Sequence, residues 1–306
     1  MALAEYGEVN PDVVVLDADV SSSTLTSYFA KKFPTRFFNM GVTEASMVDV
    51  GVGMALTGKI PFVSTFAALL TLRACEQIRT CVAYAGANVK LIGGYAGLSD
   101  YKDGPTHFAV NDVAVMRAMP NLAIVTPADN LEAAQMVRLI AEYNGPVYMR
   151  ISRASVPEVF KTDHQLQIGK GTLIRNGGDV TLVASGYIAG RCLAAVESLA
   201  SQGIDVRLIS MSTIKPIDKD ILRQAARETG ALVTAEDHSI IGGLASAVAE
   251  TLASEYPVPM EAVGLNDTFA QTGPDTESLM DASGLSVEDI VSAVKRVIAR
   301  KRSFVS

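Results

Sequence analysis

The sequence predicts an α/β protein built of two doubly wound domains, the second smaller than the first, and three observations carry that expectation. Short β-branched runs alternate with helical patterns from one end to the other, as parallel strands with helices on both faces require. The alternation stops at a polar connector, residues 152–178, with Gly169, Gly171, Asn176, Gly177 and Gly178, and then starts again. The 306 residues, 49% apolar and 19% charged, suffice for two cores of ordinary size. The boundary is placed near 165, giving domains 1–165 and 166–306.

Val13-Val14-Val15-Leu16 is an apolar run that ends in Asp17-Ala18-Asp19, a buried strand followed by a polar loop. Arg36-Phe37-Phe38, Pro61-Phe62-Val63, Val89-Lys90-Leu91-Ile92, Ala123-Ile124-Val125 and Val147-Tyr148-Met149 are the next strands, with helices over 44–57, 67–83 and 129–143. Pro127-Ala128-Asp129 is a good helix start. The second cycle has strands at Val180–Val183, Val206–Ile209, Ala231–Val233 and Met260–Val263, with helices over 189–201, 218–227, 242–254 and 287–300. The basic end, Lys295 to Arg302, complements a helix C-terminus on a solvated face.

Composition removes several function classes. With 26 Lys and Arg against 33 Asp and Glu, the net charge is −7, opposite to the basic face that nucleic acid demands. The longest nearly apolar stretch, Phe62 to Leu72, is well short of the roughly twenty residues that cross a bilayer, so no membrane span is expected. Met1 to Glu5 lacks the basic start of a signal peptide. Cys75, Cys81 and Cys192 form no CxxC and no even framework, which fits buried free thiols in a reducing, cytoplasmic setting.

Familiar self-contained sites are missing. Gly53 to Ile60 approaches the phosphate-cradling GxxxxGK[ST], but Ile60 has no hydroxyl for magnesium and Lys59 precedes a strand rather than a helix. There is no GxSxG elbow, no GxGxxG opening a helix after a strand, and His107, His164 and His238 are too scattered for a metal cluster.

Three clusters remain, all at strand ends, where open parallel sheets bind ligands. Glu44, in Asn39-Met40-Gly41-Val42-Thr43-Glu44, opens a helix among Val42, Met47 and Phe66; position alone also allows a first-turn acid complementing the helix dipole. Asp103-Gly104-Pro105-Thr106-His107 puts an acid and an imidazole four residues apart on one tight loop, the donors and acceptors that a polyol needs. Ser152-Arg153 follows the last strand of the first domain, where arginine either grips a phosphate or carboxylate as a fork or forms a structural ion pair.

In order and spacing, Glu44 in GVTEASM, Ser64-Thr65-Phe66, Asp103-Gly-Pro-Thr-His107, Pro120-Asn121, Thr126-Pro127-Ala128-Asp129 and Ser152-Arg153 resemble the transketolase family. Val183-Ala-Ser-Gly186 and Ala235-Glu-Asp-His238 through Gly243 extend the resemblance over nearly the whole chain. The likeness is to the C-terminal half of a transketolase, a pyrimidine-binding domain and a C-terminal domain. The GDG motif that holds magnesium and diphosphate in the N-terminal half is absent. The resemblance therefore implies one subunit of a split, thiamine diphosphate-dependent transketolase. Its N-terminal partner subunit would hold the diphosphate and Mg2+, no metal ligand would come from this chain, and the assembly would be α2β2.

That resemblance also assigns roles. Glu44 would bond the aminopyrimidine N1′ and, with His107, serve catalysis. Asp19, Phe66 and Leu69 would join Glu44 around the cofactor. Asp103, His107, Ser23 and Arg153 would bind a sugar-phosphate substrate, the last two at its phosphate. Tyr95 stands where transketolases carry a histidine, and Leu69 and Leu72 replace aromatic residues, so the sugar is left open. The same two-domain half occurs in deoxyxylulose-phosphate synthase and in the β subunit of 2-oxo acid dehydrogenase E1, and a catalytically silent scaffold subunit is the alternative of another class. The DGPTH loop with Arg153 favours the sugar-phosphate enzymes.

Overall fold

A computed structural model describes residues 1–305, with side chains to Ser303. Among the described residues there are twelve strands: β1 (Val13–Asp17), β2 (Phe37–Asn39), β3 (Ile60–Phe66), β4 (Lys90–Gly94), β5 (Ala123–Val125), β6 (Val147–Arg150), β7 (Thr172–Arg175), β8 (Val180–Ser185), β9 (Val206–Ser210), β10 (Thr213–Lys215), β11 (Leu232–Ser239) and β12 (Met260–Leu265). They form a seven-stranded sheet in the order β10-β5-β6-β4-β3-β1-β2 and a five-stranded sheet in the order β12-β11-β8-β9-β7. Helices separate most of the strands, and all five residues of β1 and all six of β8 are buried. Burial on both faces is why these strands read as continuous apolar runs. Each such Val or Leu contributes about 1.5–3 kcal/mol relative to exposure.

The two α/β domains expected from the sequence are present, with departures in detail. Two strands are antiparallel: β7 against β9, and β10 against β5. β10 follows β9 of the second sheet yet adds to the edge of the first, where Thr126 N–H donates to Ser212 O at 2.9 Å. Three residues are too few to show a period of two, which is why the alternation test passes over it. The expected helix over 67–83 is broken at Ala74 (φ −103°, ψ 19°) into Ala67–Arg73, Cys75–Gln77 and a wider-wound turn, Ile78–Tyr84. Short helices at Ala2–Val9, Ser27–Lys32, Asp112–Arg117 and Thr276–Ala282 have no counterpart in the sequence pattern. Of the three thiols only Cys192 is fully buried. Gly58, in the near-match to a phosphate loop, has φ +89° and follows the helix Glu44–Leu56; it helps end a helix.

The strand order places a crevice. From β1 the chain moves outward to β2, then returns to β3 on the other side of β1. That reversal separates the loops leaving β1 and β3, the position at which open α/β sheets take ligands. Residues 18–26, 40–43, 67–69, 95–110 and 151–153 all leave the C-terminal ends of strands of this one sheet.

Candidate active site

Glu44 is the first residue of the helix Glu44–Leu56 and is buried, 4% exposed. Its Oε1 accepts from Arg73 Nη1 at 2.9 Å. Arg73 is half-exposed and sits at the break in the following helix. Among the described residues no group donates to Oε2. A buried carboxylate normally has its acceptor sites filled, so this one presents an oxygen to whatever enters the crevice. Arg73 lies 29 residues from Glu44, and no sequence periodicity connects them.

The loop after β1 is organised by Asp17, which carries no motif of its own in the sequence. Its carboxylate takes the Val20 N–H at 2.7 Å and the Thr24 and Thr26 hydroxyls at 2.9 and 2.8 Å. Burial nevertheless pushes the Asp17 carboxyl above the usual range. This turn carries Asp19, at φ +64° and exposed, whose Oδ1 accepts from Asn39 Nδ2 at 2.7 Å. Ser23 is half-buried, with its backbone N–H on Val20 O at 2.9 Å. Asp19 and Ser23 thus lie on the rim at the β1 and β2 ends, without a bond to Glu44.

On the other side of the crevice four residues meet. The rings of Phe66 and Tyr95 stack with centroids 4.2 Å apart, and the guanidinium of Arg153 lies 5.2 Å from the Tyr95 ring centre. His107 approaches Phe66 edge-on at 6.3 Å and shares a hydrogen bond with Thr106 Oγ1 at 3.0 Å. Tyr95 holds φ +57°, which turns the chain sharply out of β4. Leu69 is half-buried on the helix Ala67–Arg73. Tyr95 is therefore part of the constellation: it supports the Phe66 ring by stacking and holds Arg153 as a cation beside an aromatic ring.

Asp103 is exposed beside Asp100, which is 2% exposed. No motif in the sequence singles out Asp100, although its spacing of three from Asp103 is visible there. Burial, then the adjoining Asp103 carboxyl, pushes Asp100 up to about 7 against the pull of Arg153.

The acid at the start of the later helix has a structural use. Asp129 caps Asn130–Glu142 by accepting from Glu132 N at 2.9 Å and ties down Val159 N and Phe160 N in the connector, both at 2.9 Å.

Residues 1–158 match the profile of the transketolase pyrimidine-binding domain, and residues 169–290 match that of the transketolase C-terminal domain. The chain belongs to the transketolase family. It is 38% identical over 299 residues to the 6-deoxy-6-sulfo-D-fructose transketolase subunit SqwH of Clostridium sp., covering 98% of this chain and 92% of that protein. To an apulose-4-phosphate transketolase subunit of Phocaeicola vulgatus it is 36% identical over 288 residues, covering 90% and 92%. A solved split gene transketolase, an inactive β4 tetramer, superposes with a TM-score of 0.91 at 46% identity, covering 98% of this chain and 96% of that one. This transketolase-family chain thus matches separately encoded subunits along nearly their whole length. Among the described residues no helix is long and apolar enough to cross a membrane.

Proposed function

We propose that this chain is the pyrimidine-binding and C-terminal subunit of a split transketolase that moves a two-carbon ketol unit from a ketose phosphate to an aldose phosphate. The observation that carries the reading is Glu44: a buried carboxylate at the reversal of strand order, with one oxygen held by Arg73 and the other open. The family implies thiamine diphosphate, and the residues suit its aminopyrimidine: Glu44 Oε2 offers a partner for a ring nitrogen, and Phe66 and Leu69 offer apolar surface. When bound, that cofactor supplies a carbon nucleophile and an electron sink.

The chain's own residues then have separable tasks. Glu44 holds or shares a proton at a ring nitrogen, a task suited to a desolvated carboxyl. Asp19 lies on the cofactor side of the crevice. Asp103 and His107 bind ketose hydroxyls, with His107 close enough to the Phe66 ring to act at the reacting end. Arg153 and Ser23 take the terminal phosphate, Arg153 by charge-assisted hydrogen bonds.

The diphosphate and Mg2+ fall to a partner subunit carrying a GDG motif, in an α2β2 assembly, with domains 1–165 and 166–306 in this chain. That a solved relative is an inactive β4 tetramer supports dependence on a partner. The test is ketol transfer from xylulose 5-phosphate by the chain alone and by the chain co-purified with such a subunit, each with and without thiamine diphosphate and Mg2+. Activity is expected only from the complete pair with both additions. Turnover by this chain alone would overturn the reading.

A further inference from the structure

The C-terminal domain contributes none of the groups assigned above to cofactor or sugar, yet it reaches the substrate loop. β11 ends in Glu236-Asp237-His238-Ser239, and the Asp237 side chain is 1% exposed. Both of its oxygens lie 3.2 Å from the backbone nitrogen of Leu98, in the loop that leaves β4 of the other sheet. Gly97, at φ +63°, sits against that carboxylate so closely that a Cβ there would collide with it. Only glycine serves at such a position, on conformational and on steric grounds.

Three further contacts clamp the same loop from the second domain. Ser239 N–H donates to Val110 O at 2.7 Å, Gly273 N–H to Tyr101 O at 3.2 Å, and Thr276 Oγ1 to Ser99 O at 3.3 Å. Asp103 and His107 lie between these clamps. Ser99 Oγ in turn accepts from the Arg153 backbone N–H at 3.0 Å, so the placement of Leu98 and Ser99 also sets Arg153. Asp237 is the one titratable side chain among these tethers, and burial pushes its carboxyl up to about 7.

We propose that Asp237 is a positioning residue for the substrate loop, through which the C-terminal domain fixes Asp103, His107 and Arg153 for the ketose. The proposal rests on the reading of that loop as the ketose-binding one. It gives the second domain a part in recognition: the end of β11 acts as a post on which the loop is hung.

The test has two arms on the full chain. Hydrogen exchange followed by mass spectrometry compares the parent with Asp237→Ala and with Asp237→Asn, which keeps an acceptor of the same shape. Amides of 96–110 are expected to exchange about tenfold faster or more in the alanine variant and within about threefold of the parent in the asparagine variant. Peptides covering β3 and β8 should stay at the parent rate in both. In the reconstituted pair, Asp237→Ala should raise KM for the ketose donor about tenfold while kcat falls less than about threefold, with Asp237→Asn restoring most of it.

Parent-like exchange of 96–110 in the alanine variant would overturn the proposal. So would acceleration spread equally over both sheets, or a loosened loop with KM unchanged. Because exchange is read without turnover, a loosened loop in a chain whose parent pair transfers no ketol would overturn the functional reading and not the tether.

Discussion

The crevice at the strand ends and the junction beneath it handle charge in opposite ways. At the junction Asp112, fully buried, takes Tyr148 Oη at 2.6 Å and Arg150 Nε at 2.9 Å, while Arg150 Nη2 reaches Ala109 O at 2.9 Å and Asp237 O at 2.6 Å. Glu236 caps the helix Leu244–Ala253 through Leu244 N at 2.6 Å and Ala245 N at 2.9 Å. Asp112, Arg150 and Glu236 are thus each met by the protein. In the crevice, Glu44 Oε2 is left open, Asp100 Oδ2 is buried without a hydrogen-bond partner among the described residues, and Arg153 rests beside a ring. Saturated networks rigidify, whereas unfilled polar groups are places for a ligand. The difference marks the junction as scaffold and the crevice as the candidate site.

The contrast is broken most severely at the junction. Arg150→Met would leave Asp112 buried with the Tyr148 hydroxyl as its one side-chain hydrogen-bond donor and His238 Nε2 at 3.9 Å, and removing one partner of such a pair costs about 3–5 kcal/mol. A large fall in the urea midpoint of unfolding is expected, and a midpoint near that of the parent would show that the junction is not the saturated network described. In the crevice, Arg153→Ala should be tolerated by the fold. The loss of charged hydrogen bonds worth about 1.5–3 kcal/mol should raise KM about ten- to hundredfold for phosphorylated donors. Unphosphorylated ketoses should change little, and equal effects on both would make Arg153 structural.

The smallest expected effect is a slope. Asp100 holds its proton to about 7 in the folded chain, while an unfolded aspartate releases it near 4. The folded state therefore binds the extra proton between those values, and stability from this group is lost as pH rises through that window, becoming flat above it. Asp100→Asn removes the slope. Its melting temperature should exceed that of the parent at pH 8 and match it at pH 5; a constant difference at both would contradict the raised Asp100 carboxyl.

The strands are legible in the sequence because burial on both faces leaves a mark that needs no partner to be read, as in Val13–Leu16 and Val180–Val183. Glu44 is legible too, because a helix start and a strand end are both local features. Phe66, His107 and Arg153 are legible as separate motifs, and the structure brings them together around Tyr95. In the sequence Tyr95 stands out only as a departure from the family pattern.

What the sequence hides depends on approach in space. Arg73 reaches Glu44 across 29 residues and Asp237 reaches Leu98 across 139; neither pairing has a period or a spacing. β10 is invisible for a different reason, since its three residues are meaningful only beside β5.

The central claim is that Glu44 acts on the cofactor rather than holding the helix. Glu44→Gln in the reconstituted pair tests it most directly, because glutamine keeps the shape and an acceptor for Arg73 but cannot share a proton with a ring nitrogen. Ketol transfer should fall by about a hundredfold or more with the melting temperature within a few degrees of the parent. Turnover within about twofold of the parent in that variant would contradict the account.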